Sequence, residues 1–139
     1  PDRVGDQRDA AQGPEPKARM AARVLIIEDE FLLALMLEED LRSMGFSPVG
    51  PFTDLAGARE ALLNEAFDLV VLDINLNGEM VFSLADELLA RRIPFVFLTG
   101  YDLFNLPERL RGAPRVSKPY DRAVLQREIQ RVLSASDFV

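Results

Sequence analysis

The sequence contains no cysteine and no histidine. Without cysteine it forms neither a disulfide nor a thiolate, and a reducing compartment suits such a chain. Without histidine it cannot build a His-based triad, a His-ligated metal centre or a phosphohistidine of its own. No apolar run approaches the roughly 18 residues that a membrane helix needs; the stretch 31–37 ends in Glu38, Glu39 and Asp40. The N-terminus lacks the apolar segment of a signal peptide. Positive charge is scarce as well. Sixteen Lys and Arg stand against 23 Asp and Glu, a net charge of -7, whereas a nucleic-acid surface needs clustered cations. These absences point to a cytoplasmic protein that touches neither nucleic acid nor membrane.

What is present suffices for one globular unit. The 139 residues match a single domain, and 48% are hydrophobic, enough for a real core. Residues 1–22 read as a disordered tail, with Gly5, Gly13, Pro14, Pro16 and little apolar periodicity. Met20 directly precedes the first strand pattern and is a candidate start. A folded domain is expected over 23–135, with a short tail at 136–139.

Strand and helix patterns then alternate. Residues 24–27 are wholly apolar, as in a strand buried on both faces. A helix is expected over 31–44, closed by Gly45. A weaker strand follows at 46–51. Thr53 or Asp54 can cap a helix running to about Ala66. A second strong strand covers 69–72. The spacing of Val81, Leu84, Ala85 and Leu88 predicts a helix over 79–91. A third buried strand spans 94–98, and a short one spans 115–117. The last helix, over 120–134, carries the stripe Leu125, Ile129, Val132 and Leu133. Residues 102–112 have no clear pattern, because Pro107 interrupts any helix. Five such alternations imply an α/β fold, a parallel sheet covered on both faces, with its site at the carboxyl ends of the strands.

Those ends carry the chemistry. The first runs into Glu28, Asp29 and Glu30, the third into Asp73 and Asn75, the fourth into Thr99 and Gly100, and the fifth into Lys118 and Pro119. Two carboxylates about 4 Å apart repel by roughly 4 kcal/mol at an effective dielectric of about 20. Grouping Glu28, Asp29 and Asp73 therefore calls for compensation. A hard cation such as Mg²⁺, which favours carboxylate, carbonyl and water oxygens, provides it. Lys118 can balance part of the charge or bind a phosphate oxygen. Any one of these acids alone would read as a solvated loop residue; the set of four strand ends would not.

The runs 24–30, 69–73, 97–100 and 117–120, in this order on a five-fold β/α pattern, resemble the receiver domain of bacterial two-component response regulators. The resemblance covers about residues 23–134 and implies a doubly wound, flavodoxin-like (βα)5 sheet of strand order 2-1-3-4-5. It makes Asp73 the nucleophile that becomes an acyl phosphate. It gives Mg²⁺ the side chains of Asp29 and Asp73, the backbone carbonyl of Asn75, and Glu28 through a water. It aims the Thr99 hydroxyl and Lys118 at the phosphoryl group, with room beside Gly100, and makes the Lys118–Pro119 bond cis. The implied donor is a histidine kinase or a phosphotransfer protein, and the output passes to a downstream protein target. Such a domain is not an enzyme in the usual sense; it catalyses only its own phosphorylation and dephosphorylation.

The pattern departs from the family in places. The position three before Lys118, often aromatic and mobile on activation, is Arg115. Leu76, Asn77 and Gly78 replace the common Met-Pro after the acceptor. The run 97–101 partly resembles a receiver subgroup with a Phe-Ala-Thr-Gly-x-Tyr motif, with Asp102 where its Tyr would stand. A switch region of Thr99 and Arg115, acting by ordering 101–112, is the expectation that follows. In the first helix, Leu33, Leu37, Leu41 and Met44 suffice for a core stripe. Leu32, Leu35 and Met36 are surplus, either a docking face for a kinase, as in the family, or the edge of a wide buried face. A homodimer through the last helices is compatible with the sequence. Three alternatives stay open: a receiver piece of a longer regulator, a phosphate-independent pseudo-receiver, and an Asp-dependent phosphatase of the haloacid dehalogenase type. The last needs an Asp where Asn75 stands.

Overall fold

The computed structural model describes residues 21–100 and 106–135. Its elements follow the apolar pattern closely. Strand β1 (Arg23–Ile27) leads to helix α1 (Phe31–Ser43), β2 (Ser47–Phe52), α2 (Leu55–Asn64) and β3 (Leu69–Asp73). Two short strands, β4 (Asn75–Leu76) and β5 (Glu79–Met80), precede α3 (Phe82–Ala90), β6 (Phe95–Thr99), a 3-10 turn (Glu108–Leu110), β7 (Arg115–Ser117) and α4 (Arg122–Ser134). The five long-sheet strands are parallel in the order β2-β1-β3-β6-β7. That is the expected 2-1-3-4-5 order once the two short strands are set aside, and it is the flavodoxin-like fold.

Strand alternation divides the core into two layers. Leu25, Ile27, Val70, Leu72, Phe95 and Phe97 face α2 and α3, where they meet Ala58, Leu62, Leu84 and Leu88. Val24, Ile26, Leu69, Val71, Val96 and Leu98 face α1 and α4, against Leu37, Leu41, Leu125 and Ile129. Every residue of β3 and β6 is buried, so the two central strands place their last side chains in a protected setting.

Local chemistry explains the helix ends. Gly45, at φ +95°, donates its N–H to the Arg42 carbonyl at 3.0 Å and closes α1. Asp54, rather than Thr53, caps α2 by accepting from the Gly57 N–H at 2.7 Å, and that helix stops at Asn64, short of Ala66. Asp121 caps α4 through the Ala123 and Val124 amides, so the last helix starts two residues later than its apolar stripe suggested. The Lys118–Pro119 bond is cis, and so is Gly50–Pro51, which had no sequence signal.

The helix expected over 79–91 needs correction at its start. Residues 75–80 form an antiparallel hairpin, pairing Asn75 with Met80 and Leu76 with Glu79. Asn77 and Gly78 turn it with φ of 52° and 90°, the twist of a type I′ turn, for which Asn-Gly is the favoured pair. The surplus apolar residues of α1 lie outside the core: Phe31 and Leu32 are each 73% exposed, Met36 55% and Leu35 42%. The tail at 1–20, the end at 136–139 and the 101–105 part of the proposed switch segment lie outside the described residues. Within 106–112 the 3-10 turn takes the place of a full helix, and Arg109 ties it to α3 by two 2.8 Å bonds to Asp86.

Candidate functional site

The carboxyl ends of β1, β3, β6 and β7 open into a single cleft of about 860 Å³, lined by Asp29, Glu30, Asp73, Asn75, Thr99 and Lys118 among others. The strands β3, β6 and β7 deliver their last side chains there, and β1 the residues just past its end, because parallel pairing holds the ends level: Asp73 lies beside Leu98, and Thr99 beside Ser117. The Lys118 N–H donates to the Thr99 carbonyl at 2.6 Å, continuing the ladder one residue past β7. The Glu28 N–H donates to the Phe52 carbonyl at 3.0 Å, which seats the acidic end of β1.

Carboxylate oxygens of Glu28, Asp29 and Asp73 lie within 4.8 Å of one another. Lys118 Nζ approaches three acids: Asp73 Oδ2 at 3.0 Å, Glu28 Oε1 at 3.3 Å and Glu30 Oε1 at 3.4 Å. Backbone amides take up much of what remains. Asp73 Oδ1 accepts from the Asn75 N–H at 3.3 Å, Glu28 Oε2 from Glu30 at 3.0 Å, and Asp29 Oδ2 from Asn77 at 2.9 Å.

Glu28 Oε1 is different. It is fully buried and, although Lys118 faces it as a counter-charge, it has no hydrogen bond of good geometry. Burial raises the Glu28 carboxyl to about 7; the Glu30 amide opposes this, and the nearby Asp73 charge adds to it. Burial also raises Asp73, against the pull of Lys118. Lys118 is destabilised as an ammonium by burial, but Asp73 and Glu28 outweigh that and hold it above the ordinary lysine range. The cluster thus carries more negative charge than its single ammonium neutralises. An all-oxygen donor set with one unmatched buried oxygen fits a hard divalent cation.

The cleft brings together Asp29, Asp73, Asn75, Thr99 and Lys118, with Glu28 buried behind them. Thr99 is 2% exposed, and nothing stands within 4 Å of where a side chain on Gly100 would begin. Arg115 is elsewhere. It is exposed, and its guanidinium donates to the Arg111 carbonyl at 2.5 Å. Two participants had no assigned role in the sequence. Glu30 reaches Lys118, for which position alone gives no signal. Asn77 braces Asp29 through its amide, and the Asn-Gly pair was the signal that could have located that turn.

The family model of the response regulator receiver domain matches residues 24–130. The chain is 38% identical over 104 residues to the transcriptional regulatory protein PdtaR of Mycobacterium tuberculosis, covering 73% of this chain and 51% of that one. It spans about half the length of the curated relatives it matches. The solution structure of SdrG from Sphingomonas melonis Fr1 superposes with a TM-score of 0.73 at 36% identity, over 81% of this chain and 97% of that one. The receiver domain of the sensor histidine kinase PA1611 from Pseudomonas aeruginosa, with a magnesium ion coordinated in its active-site cleft, superposes at 0.70 and 27% identity, over 83% and 99%. With the family pattern running through every strand that builds the cleft, the chain belongs to the response regulator receiver domains of two-component signalling.

Proposed function

We propose that this receiver domain accepts a phosphoryl group on Asp73 from a phosphohistidine of a histidine kinase or a phosphotransfer protein. The observation that carries this reading is the setting of Asp73: buried at the end of a central strand, 3.0 Å from Lys118, grouped with two further acids and sharing its cleft with Thr99. A carboxylate oxygen of Asp73 attacks phosphorus, the P–N bond breaks, and the imidazole leaves with its electron pair. In-line displacement of this kind depends on placement and on charge stabilisation more than on covalent help. Lys118 turns from the Asp73 carboxylate to a phosphoryl oxygen as the negative charge moves outward. The Thr99 hydroxyl donates to another phosphoryl oxygen.

Asp29, Asp73 and the Asn75 carbonyl would hold Mg²⁺ directly, and Glu28 would hold it through a water. When bound, the ion supplies positive charge to the phosphoryl oxygens. The magnesium in the PA1611 receiver cleft supports this choice of ion. The domain acts on itself alone, taking up and hydrolysing one phosphoryl group, rather than turning over a separate substrate. The exposed apolar face of α1, with Phe31, Leu32 and Met36, supports docking of the donor protein there. The state of Asp73 then passes to a downstream protein target in the cytoplasm.

Intact-mass measurement with acetyl phosphate tests the reading. One added phosphoryl group is expected with Mg²⁺, and none in the metal-free sample or in Asp73→Asn. Equal labelling of the Asn variant would refute it.

A further inference from the structure

Lys118 is shared by three acids, and only Glu28 and Asp73 belong to the cluster suited to a metal. The third, Glu30, approaches from the solvent side. Its carboxylate is 65% exposed and lies 3.4 Å from Lys118 Nζ. It is not placed there by any duty to α1: Glu30 stands at the N-cap, yet its side chain caps nothing. Its own N–H is held by Glu28 Oε2 at 3.0 Å, so the backbone presents the side chain to the cleft mouth, of which it forms part. A group arriving for Asp73 must displace this contact and pass this charge.

We propose that Glu30 is a specificity-determining residue: its carboxylate competes with the incoming phosphoryl group for Lys118 and selects against phosphodonors of high negative charge. The inference rests on Asp73 being the acceptor. A phosphoryl group on Lys118 would lie about 7 Å from Glu30, one lysine contact farther out. At that distance, in water, each unit of donor charge costs about threefold in rate. A dianionic donor is therefore penalised about threefold more than a monoanionic one. A phosphohistidine delivered by a docked protein meets the same charge with its encounter already secured by protein contacts.

The test compares two small donors at neutral pH and saturating Mg²⁺, read by intact mass. With dianionic acetyl phosphate, the Asp73 O–P bond forms as the acyl P–O bond breaks and acetate leaves. With monoanionic phosphoramidate, the P–N bond breaks and ammonia leaves. In Glu30→Gln the ratio of the acetyl phosphate rate to the phosphoramidate rate should rise about threefold at low ionic strength. The gain should shrink in about 1 M salt, where the Debye length is near 3 Å. Glu30→Asp, which keeps the charge while shortening the reach to Lys118, should leave the ratio near the parent value. Equal acceleration of both donors, or no change in either, would overturn the proposal. Labelling of Asp73→Asn at the parent rate would instead remove the acceptor assignment beneath it.

Discussion

Glu28 shows what burial does to a single group. Its carboxyl, fully buried at the end of β1, is pushed up to about 7 from an ordinary 4.5. Between those values the folded protein binds more protons than the unfolded chain. Its contribution is therefore fully favourable below pH 4.5 and is lost as pH rises through 7. For the metal-free protein this is on the order of 3 kcal/mol. Urea midpoints measured in chelator should fall between pH 5 and 8, and Glu28→Gln should flatten much of that slope. Added Mg²⁺ should restore stability mainly at the upper end, where the carboxylate is charged. A midpoint that rises with pH in the metal-free parent would contradict this account of Glu28.

Among the elements, the hairpin between β3 and α3 is the one the apolar pattern hid. Val81, Leu84, Ala85 and Leu88 have helical spacing and are all buried, but Val81 only precedes α3, and the two residues before it pair as a strand. Apolar spacing says which residues are inside, not where a helix begins. The Asn-Gly pair states that boundary directly. Gly78 holds φ +90° with open space where a side chain would go, so backbone strain alone sets the cost of filling it. Gly78→Ala should destabilise the fold by about 1 kcal/mol, whereas Gly78→Asn should cost less, because Asn tolerates that conformation. Equal urea midpoints for parent and Ala variant would mean that the turn is not held as described. The outer face of α1 was legible as surplus, since Leu32, Leu35 and Met36 lay off the core stripe. Its exposure was not, because periodicity does not measure the width of the groove a helix fills.

For the molecule as a whole, the parallel sheet and the convergence of Asp29, Asp73, Thr99 and Lys118 were readable because apolar strands ended in polar residues, whereas the strand order came from the family resemblance. The role of Glu30 was not, since a side chain three residues past a strand can point anywhere. Nor was the tie between the 3-10 turn and α3, made by Arg109 and Asp86 across 23 positions. Arg115 in place of the usual aromatic, together with Pro107 interrupting any helix, motivates the proposal that activation orders residues 101–112. Amide hydrogen exchange with and without beryllofluoride should show greater protection there in the activated state. Equal protection in both states would discard that mechanism.

The last strand has a further consequence. β7 is three residues long and lies at one edge of the sheet. Lys118 follows it directly and is, among the described residues, the cation paired with Asp73. Sheet edges and short elements open at lower free energy than a core, so the chemistry hangs in part on a short edge element. Labelling by acetyl phosphate should therefore disappear at urea concentrations well below the midpoint of global unfolding. The domain would lose its competence to signal while most of its secondary structure still stood.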